Sequence, residues 1–218
     1  MLREIGLEAS LPQLAQFKIH YDLLSLWNTR INLSSIRDPE EILRRHFVES
    51  AYLTKVLPLG SGTLIDIGSG AGFPGIPVKI LSPETRVVLI ESVQKKARFL
   101  QEVVNALGLP GLEVFAGRVE DFQGEADWAT MRAVRLDRKL MREIRRIVPR
   151  GTFAPFVVAG RGGRGQGTGK AEESPKYRTA GLPSSYPSPL PSAITYRAIP
   201  GSQRRIIAVG QCSTWNIL

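Results

Sequence analysis

From Pro12 onward the apolar residues Leu14, Phe17, Tyr21, Leu24 and Trp27 recur three or four positions apart, the spacing of one buried helix face. This predicts a first helix. Residues 28–36 break the pattern, and Asp38-Pro39-Glu40-Glu41 then reads as a helix start, with Asp38 as cap, Pro39 in the first turn and Glu41 completing a capping box. A second helix is predicted through Ile42, Leu43, Phe47 and Leu53. Short apolar runs follow at 63–67, 86–90, 112–115 and 128–131, separated by helical patterns at 77–81 and 94–107. Strands joined by crossovers long enough for a helix pair in parallel, so the fold class is a layered α/β sheet. Leu136, Leu140, Ile144, Ile147 and Val148 mark a further helix whose other faces carry Arg138, Lys139, Arg142, Arg145 and Arg146. Residues 151–158 read as a fifth strand, and 194–198, a Pro200-Gly201 turn and 205–209 as a terminal antiparallel hairpin. The organisation expected is a helical extension over 1–58 and a main domain over 59–218. Within it, 160–192 is glycine–arginine- then proline–serine-rich, a flexible insert too poor in apolar residues to order itself.

Composition narrows the class. With 218 residues, 43% hydrophobic and 22% charged, the chain has enough apolar material for a core and is unlike disordered or fibrous sequences. It contains no run of about 18 apolar residues and no basic-then-apolar leader, so neither a membrane span nor a secretory signal is expected. The single cysteine, Cys212, argues for a reducing cytoplasm and against a thiolate metal site. The net charge of +9 is uneven: residues 1–120 are neutral, 121–160 carry +3 and 161–218 carry +6. Clustered Lys and Arg gain affinity for phosphates by releasing counterions, which points to nucleic acid; a basic surface kept for solubility explains the count equally well.

Asp66-x-Gly68-x-Gly70-x-Gly72 lies between the first strand and the next helix, where open α/β sheets bind ligands. Glu91 closes the second strand 23 residues after Gly68, suited to grip two ribose hydroxyls. Gly70-x-Gly72-x-x-Gly75 also satisfies the dinucleotide pattern. Three features favour S-adenosylmethionine over NAD. Asp66 precedes the first glycine by two residues, where a carboxylate meets a cationic methionine end but repels a pyrophosphate. Val119-Glu120-Asp121 follows the third strand and can frame an adenine. His20 and His46 both precede the nucleotide fold, leaving no evident proton donor for hydride transfer.

Taken together, Asn28-Thr29-Arg30-Ile31-Asn32-Leu33, Arg45-His46-Phe47-Val48-Glu49-Ser50, the run from Asp66 to Pro77, Gln94-Lys95-Lys96 and Arg132-Ala133-Val134 resemble the RsmG (GidB) family over about 21–158 and 194–209. The resemblance implies a Rossmann-like class I methyltransferase fold, mostly parallel with a C-terminal antiparallel hairpin. The activity it implies is transfer of methyl from S-adenosylmethionine to N7 of one guanine in 16S rRNA. It also implies cofactor contact by Gly68, Phe73, Glu91, Ser92, Val93, Val119, Glu120 and Arg132, beside Asp66 and Gly70 of the glycine turn. No metal is expected and no residue is assigned as catalytic. The small ribosomal subunit is the partner that the resemblance implies, and the protein is expected to act as a cytoplasmic monomer. The family ordinarily has an ordered helix between the fifth strand and the hairpin; here that interval is either a loose insert touching RNA phosphates or divergent sequence.

Several assignments stay open. Arg132 directly follows the fourth strand and faces either the cofactor or target base, or pairs with Asp66 or Glu120. His46 reads as a packed or capping histidine, and Lys95, Lys96 and Arg98 as an RNA-facing cluster or a solvated helix face. The competing functions are a methyltransferase acting on another RNA or a small molecule, and an RNA-binding or ribosome-assembly protein without turnover.

Overall fold

The structure, a computed structural model, describes residues 1–158, 194–202 and 205–215. The predicted insert at 160–192 lies outside the described residues.

Helix α1, Leu11–Trp27, starts at Ser10. Gln13 N–H donates to the Ser10 hydroxyl at 3.4 Å and the Gln13 side chain accepts from Ser10 N–H at 2.9 Å, a reciprocal cap that the sequence reading did not anticipate. Its buried line is centred on His20 and Leu24, with Phe17, Tyr21 and Trp27 packed alongside. Leu14, expected on that face, is 47% exposed because it lies off the line toward the solvent side of the first turns.

The second predicted helix is interrupted. Asp38 caps α2, Pro39–Ile42, by accepting from Glu41 N–H at 2.8 Å. The Glu41 carboxylate does not close the expected capping box but reaches Arg45 at 3.4 Å. A π-helical stretch, Leu43–Val48, then widens the turn before the short helices α3, Glu49–Ala51, and α4, Leu53–Val56. An extra residue per turn rotates the face that points inward. The five consecutive residues Phe47, Val48, Glu49, Ser50 and Ala51 are buried, so this segment is covered on more than one face.

Four strands fall where the apolar runs placed them: β1, Thr63–Ile67, β2, Arg86–Ile90, β3, Leu112–Phe115, and β4, Trp128–Met131. Helix α5, Gly75–Leu81, begins two residues earlier than predicted, and α6, Gln94–Leu107, begins and ends as predicted. Helix α7, Arg138–Ile147, is capped by Asp137, whose carboxylate accepts from Leu140 N–H at 2.8 Å. The predicted fifth strand is split into β5, Thr152–Phe153, and β6, Phe156–Val158. Pro155, which has no N–H to give a ladder, separates them. The hairpin is present as β7, Thr195–Ala198, and β8, Arg205–Gln211, and β8 pairs antiparallel with β5, β6 and β7.

The sheet order is β3-β2-β1-β4-β5-β8-β6, with β1 to β5 parallel and β7 beside β8. Both faces of the central strands are covered, so β1 is buried from Leu64 to Ile67. Leu64, Val87 and Leu89 share one core with Phe99, Leu24 and Phe47, and thus with the extension, while Ile65, Ile67, Val88 and Ile90 pack with Met141, Ile144 and Ile147 of α7. The chain turns back from β3 to β4 beside β1, so the strand order reverses there and a crevice opens at the carboxyl ends of β1 and β4.

Phe99, fully buried, touches the rings of Trp27 and His20 and so joins α6 to the extension. Phe99→Ala is expected to lose about 3–5 kcal/mol of stability, read as a lower urea midpoint with an unchanged denaturant slope.

Candidate functional site

The turn after β1 is built from backbone donors. Gly68 and Ser69 N–H both point at the Ile90 carbonyl, at 2.8 and 3.2 Å, tying the turn to the end of β2. Gly68 has φ +70°, and a Cβ there would lie 2.5 Å from the Val134 side chain, so both conformation and space require glycine. Asp66, a polar residue inside an apolar strand, explains the rest of the turn. Its Oδ2 accepts from Gly75 N–H at 2.9 Å, and a Cβ on Gly75 would meet that oxygen at the same distance. Burial pushes the Asp66 carboxyl up to about 7, and Oδ1 is buried without a hydrogen-bond partner.

Glu91 is the second fastening. It is nearly fully buried; Oε2 accepts from Gly70 N–H at 2.9 Å and Oε1 from Val93 N–H at 2.8 Å. A carboxylate has about four acceptor positions, so two remain for hydroxyls. Asp66, Gly68, Gly70 and Glu91 therefore form one hydrogen-bonded frame, with Ser92 and Val93 exposed at its edge, Val93 at 48%. Val119 and Glu120 occupy a short 3-10 turn after β3. Val119 is buried beneath α7, and Glu120 is held by Lys139 Nζ at 2.7 Å, which keeps its carboxyl below the usual range. No described hydrogen bond joins this turn to the glycine frame.

Arg132 follows β4 and pairs with neither Asp66 nor Glu120 among the described salt bridges. Its Nη2 donates to the Arg45 carbonyl at 2.7 Å and to His46 Nδ1 at 3.0 Å, and Nη1 is buried without a partner. Burial pushes the guanidinium down to about 10. Because His46 Nδ1 accepts, Nε2 carries the proton and donates to the Ser34 hydroxyl at 2.7 Å. Burial, then Arg132, Arg205 and Arg45, push His46 down to about 3. His46 is thus a packed, neutral residue, as read from the sequence. Glu49 of the same segment is buried against Arg205 at 2.9 Å, and burial raises its pKa.

Phe73 sits between two imidazoles, stacked on His20 at 4.8 Å and on His46 at 4.9 Å, with Phe47 edge-on at 4.9 Å. Its ring fastens the glycine turn to the extension, which leaves the backbone of the turn as its contribution to the crevice. Sequence reasoning did not place His20, Ser34 or Phe47 here. The signal was in Glu49 and Ser50, polar residues that fall within the buried stretch 47–51. Lys95 and Arg98 lie on the exposed side of α6.

Buried polar atoms without partners call for an explanation. Asp66 Oδ1, an acceptor, and Arg132 Nη1, a donor, match the ammonium and carboxylate of an amino-acid group, and Glu91 matches a sugar diol. The residues present therefore fit a nucleoside joined to an amino acid. Among the described residues no cluster of His, Cys, Asp and Glu is suited to a metal ion, and no helix is long and apolar enough to cross a membrane.

A family model described as rRNA small subunit methyltransferase G matches residues 13–157. A ribosomal RNA small subunit methyltransferase G of Lachnoclostridium phytofermentans is 43% identical over 140 residues, covering 61% of this chain and 58% of that protein. One from Streptococcus pneumoniae is 41% identical over 142 residues, covering 62% and 60%. The chain thus spans little more than half the length of the curated relatives it matches. A crystal structure of a SAM-dependent methyltransferase from Aquifex aeolicus superposes with a TM-score of 0.54 at 17% identity, covering 80% of this chain and 94% of that one, which shows the fold.

His20 is fully buried, with Nε2 2.8 Å from the Ala71 carbonyl, and burial pushes it down to about 4. The unfolded chain takes up a proton on this residue below about pH 6.5, and the folded chain does so only near 4. Its contribution is therefore complete above 6.5 and is lost as pH falls toward 4. Asp66, raised to about 7, acts with the opposite sign, losing its contribution as pH rises from 3.8 to 7. The two are separated by comparing variants: in His20→Phe, the slope of unfolding free energy against pH between about 4.5 and 6 should be lower than in the native chain by one proton, about 1.4 kcal/mol per pH unit. Urea titrations at a series of pH values measure it, and equal slopes would show that His20 titrates normally.

Proposed function

Because this chain belongs to the rRNA small subunit methyltransferase G family, we propose that it transfers a methyl group from S-adenosylmethionine to N7 of a guanine in 16S rRNA, acting as a cytoplasmic monomer on the small ribosomal subunit. The observation that carries this reading is the frame of Asp66, Gly70, Gly75 and Glu91 at the point where the strand order reverses.

Asp66 Oδ1 would hold the ammonium of the methionine end and Arg132 Nη1 its carboxylate. Glu91 would take the ribose hydroxyls, with Ser92, Val93, Val119 and Glu120 along the adenine. The backbone at Gly68, Gly70 and Phe73 would line the approach to the sulfur. The cofactor supplies a methyl group already activated by its sulfonium. Guanine N7 offers an in-plane lone pair and carries no proton, so the chain need not supply a general base. His20 and His46 suit that role-free state: both are buried, hydrogen-bonded and held neutral. The rate advantage is then one of orientation, which can supply about 7–11 kcal/mol when reacting atoms are aligned. The N7 edge faces the major groove, which in A-form RNA is too narrow for side chains, so the target is an unpaired or opened guanine.

Calorimetry with S-adenosylmethionine should show binding to the native chain and a loss of roughly 100-fold or more in Gly68→Val, where the side chain strains the turn and strikes Val134. Small subunits lacking the modification, incubated with methyl-labelled cofactor, should yield labelled 7-methylguanine in 16S rRNA. A native chain that does not bind the cofactor would defeat the enzyme reading, and label confined to another RNA or a small molecule would replace the substrate.

A further inference from the structure

Helix α7 carries its positive charges in two sets. On the side facing the turn after β3, Lys139 is neutralised by Glu120 at 2.7 Å and Arg146 by Glu143 at 2.8 Å, and Arg146 also donates to the Phe122 carbonyl at 2.8 Å. On the other side Arg138, Arg142 and Arg145 line a cavity of about 290 Å³ floored by Met141. Arg138 and Arg142 are exposed and have no acidic partner among the described residues, while Arg145 donates to the Trp215 carbonyl, which fixes one end of the row. A helix whose charges served only to keep it solvated has no need to sort them in this way.

From this segregation we infer that Arg138 and Arg142 form a track for the phosphodiester backbone of the RNA strand that enters the crevice. The inference rests on the RNA-directed reading above and adds a place where the strand is held. Spacing supports it. Positions 138 and 142 lie one turn apart on one helix face, about 6 Å along the axis at 1.5 Å per residue, so both can reach phosphates of a single strand. Direction supports it too. Asp137 caps α7 just after the β4 turn that carries Arg132, and the Ile147 carbonyl accepts from Ala126 N–H beside the start of β4. The helix therefore runs back along the sheet, with Arg138 at the crevice end and Arg145 farther away. Planar guanidinium groups suit phosphate oxygens, which they bind in pairs of hydrogen bonds. An acidic protein surface is the other partner such a row could meet, and the test separates the two.

The measurement is filter binding of 16S rRNA by the full chain over a range of salt concentrations, comparing the native protein, Arg138→Gln/Arg142→Gln and the control Arg3→Gln/Lys18→Gln. Gln and Arg have similar helix propensities, so exposed changes on α7 leave the helix intact. With about 0.7 lost from the log–log salt slope for each single-strand phosphate contact, the α7 variant should lose about 1.4. That corresponds to about 25-fold weaker binding at 0.1 M salt relative to a 1 M reference. The control, which removes the same charge elsewhere, should keep the native slope. Equal slopes for all three proteins, or an equal fall in the control, would overturn the track. So would an α7 variant that binds RNA normally but no longer binds RNA-free ribosomal protein. Cofactor titration of the same proteins is read separately: a native chain that fails to bind S-adenosylmethionine refutes the enzyme reading, and the salt slopes still decide the track.

Discussion

The hydrogen bond from Gly75 N–H to the buried Asp66 carboxylate holds the site together. A carboxyl inside an apolar strand is costly unless it is hydrogen-bonded, and here the partner is an otherwise unpaired N–H at the first turn of α5. Each group resolves the other's deficit, and the chain between them is forced into a turn so tight that Gly75 has no room for a side chain. Glu91 repeats the device from the neighbouring strand, taking Gly70 N–H into a second buried carboxylate. The loop is thus held by two acids on adjacent strand ends, and the positions that shape the crevice are also those that keep it folded.

The extension completes this arrangement. The π-helical stretch turns Phe47 and its neighbours inward, and His46, beside them, stacks on Phe73 from one side while His20 of α1 stacks from the other. Aromatic contacts of this kind contribute about 0.5–1.5 kcal/mol each beyond the area they bury. Their effect on placement matters more. His46 also accepts from Arg132, so the residue after β4, the glycine turn and the extension meet through one imidazole. Removing residues 1–58 would therefore expose the underside of the glycine turn as well as one face of the sheet.

The sheet was legible because its signals are local. Central parallel strands covered on both faces are short apolar runs, and β1 to β4 were bounded by glycines and polar residues that a linear reading detects. The glycine frame was legible for the same reason, since Asp66, Gly68 and Glu91 stand at the ends of those runs. What escaped was set by tertiary contacts. The π turn violates the helical period because the core, and not the segment itself, selects which residues face inward. Leu14 has the right spacing but lies off the line on which α1 is covered. The break between β5 and β6, by contrast, was a local signal that the reading passed over, Pro155 within an otherwise strand-like run. Arg132 stands directly after β4 as the sequence indicates, but its partners, the Arg45 carbonyl and His46, lie 87 and 86 residues away in sequence, beyond any local pattern.

The same distinction governs how the charge of this chain is to be read. A count over residues 121–160 gives an excess of three positive charges, yet two of the cations on α7 are consumed by Glu120 and Glu143 and contribute to packing. Net charge sets the long-range field that gathers a polyanion, whereas local pairing decides which guanidinium groups are available to hold it. Exposed ion pairs of this kind stabilise the fold little, with typical values of about 0–1 kcal/mol. Their larger consequence is to remove one side of α7 from competition, leaving Arg138 and Arg142 on the other. Orientation of a strand, unlike attraction, requires that asymmetry, and a transfer that depends on alignment and not on a general base depends on it most.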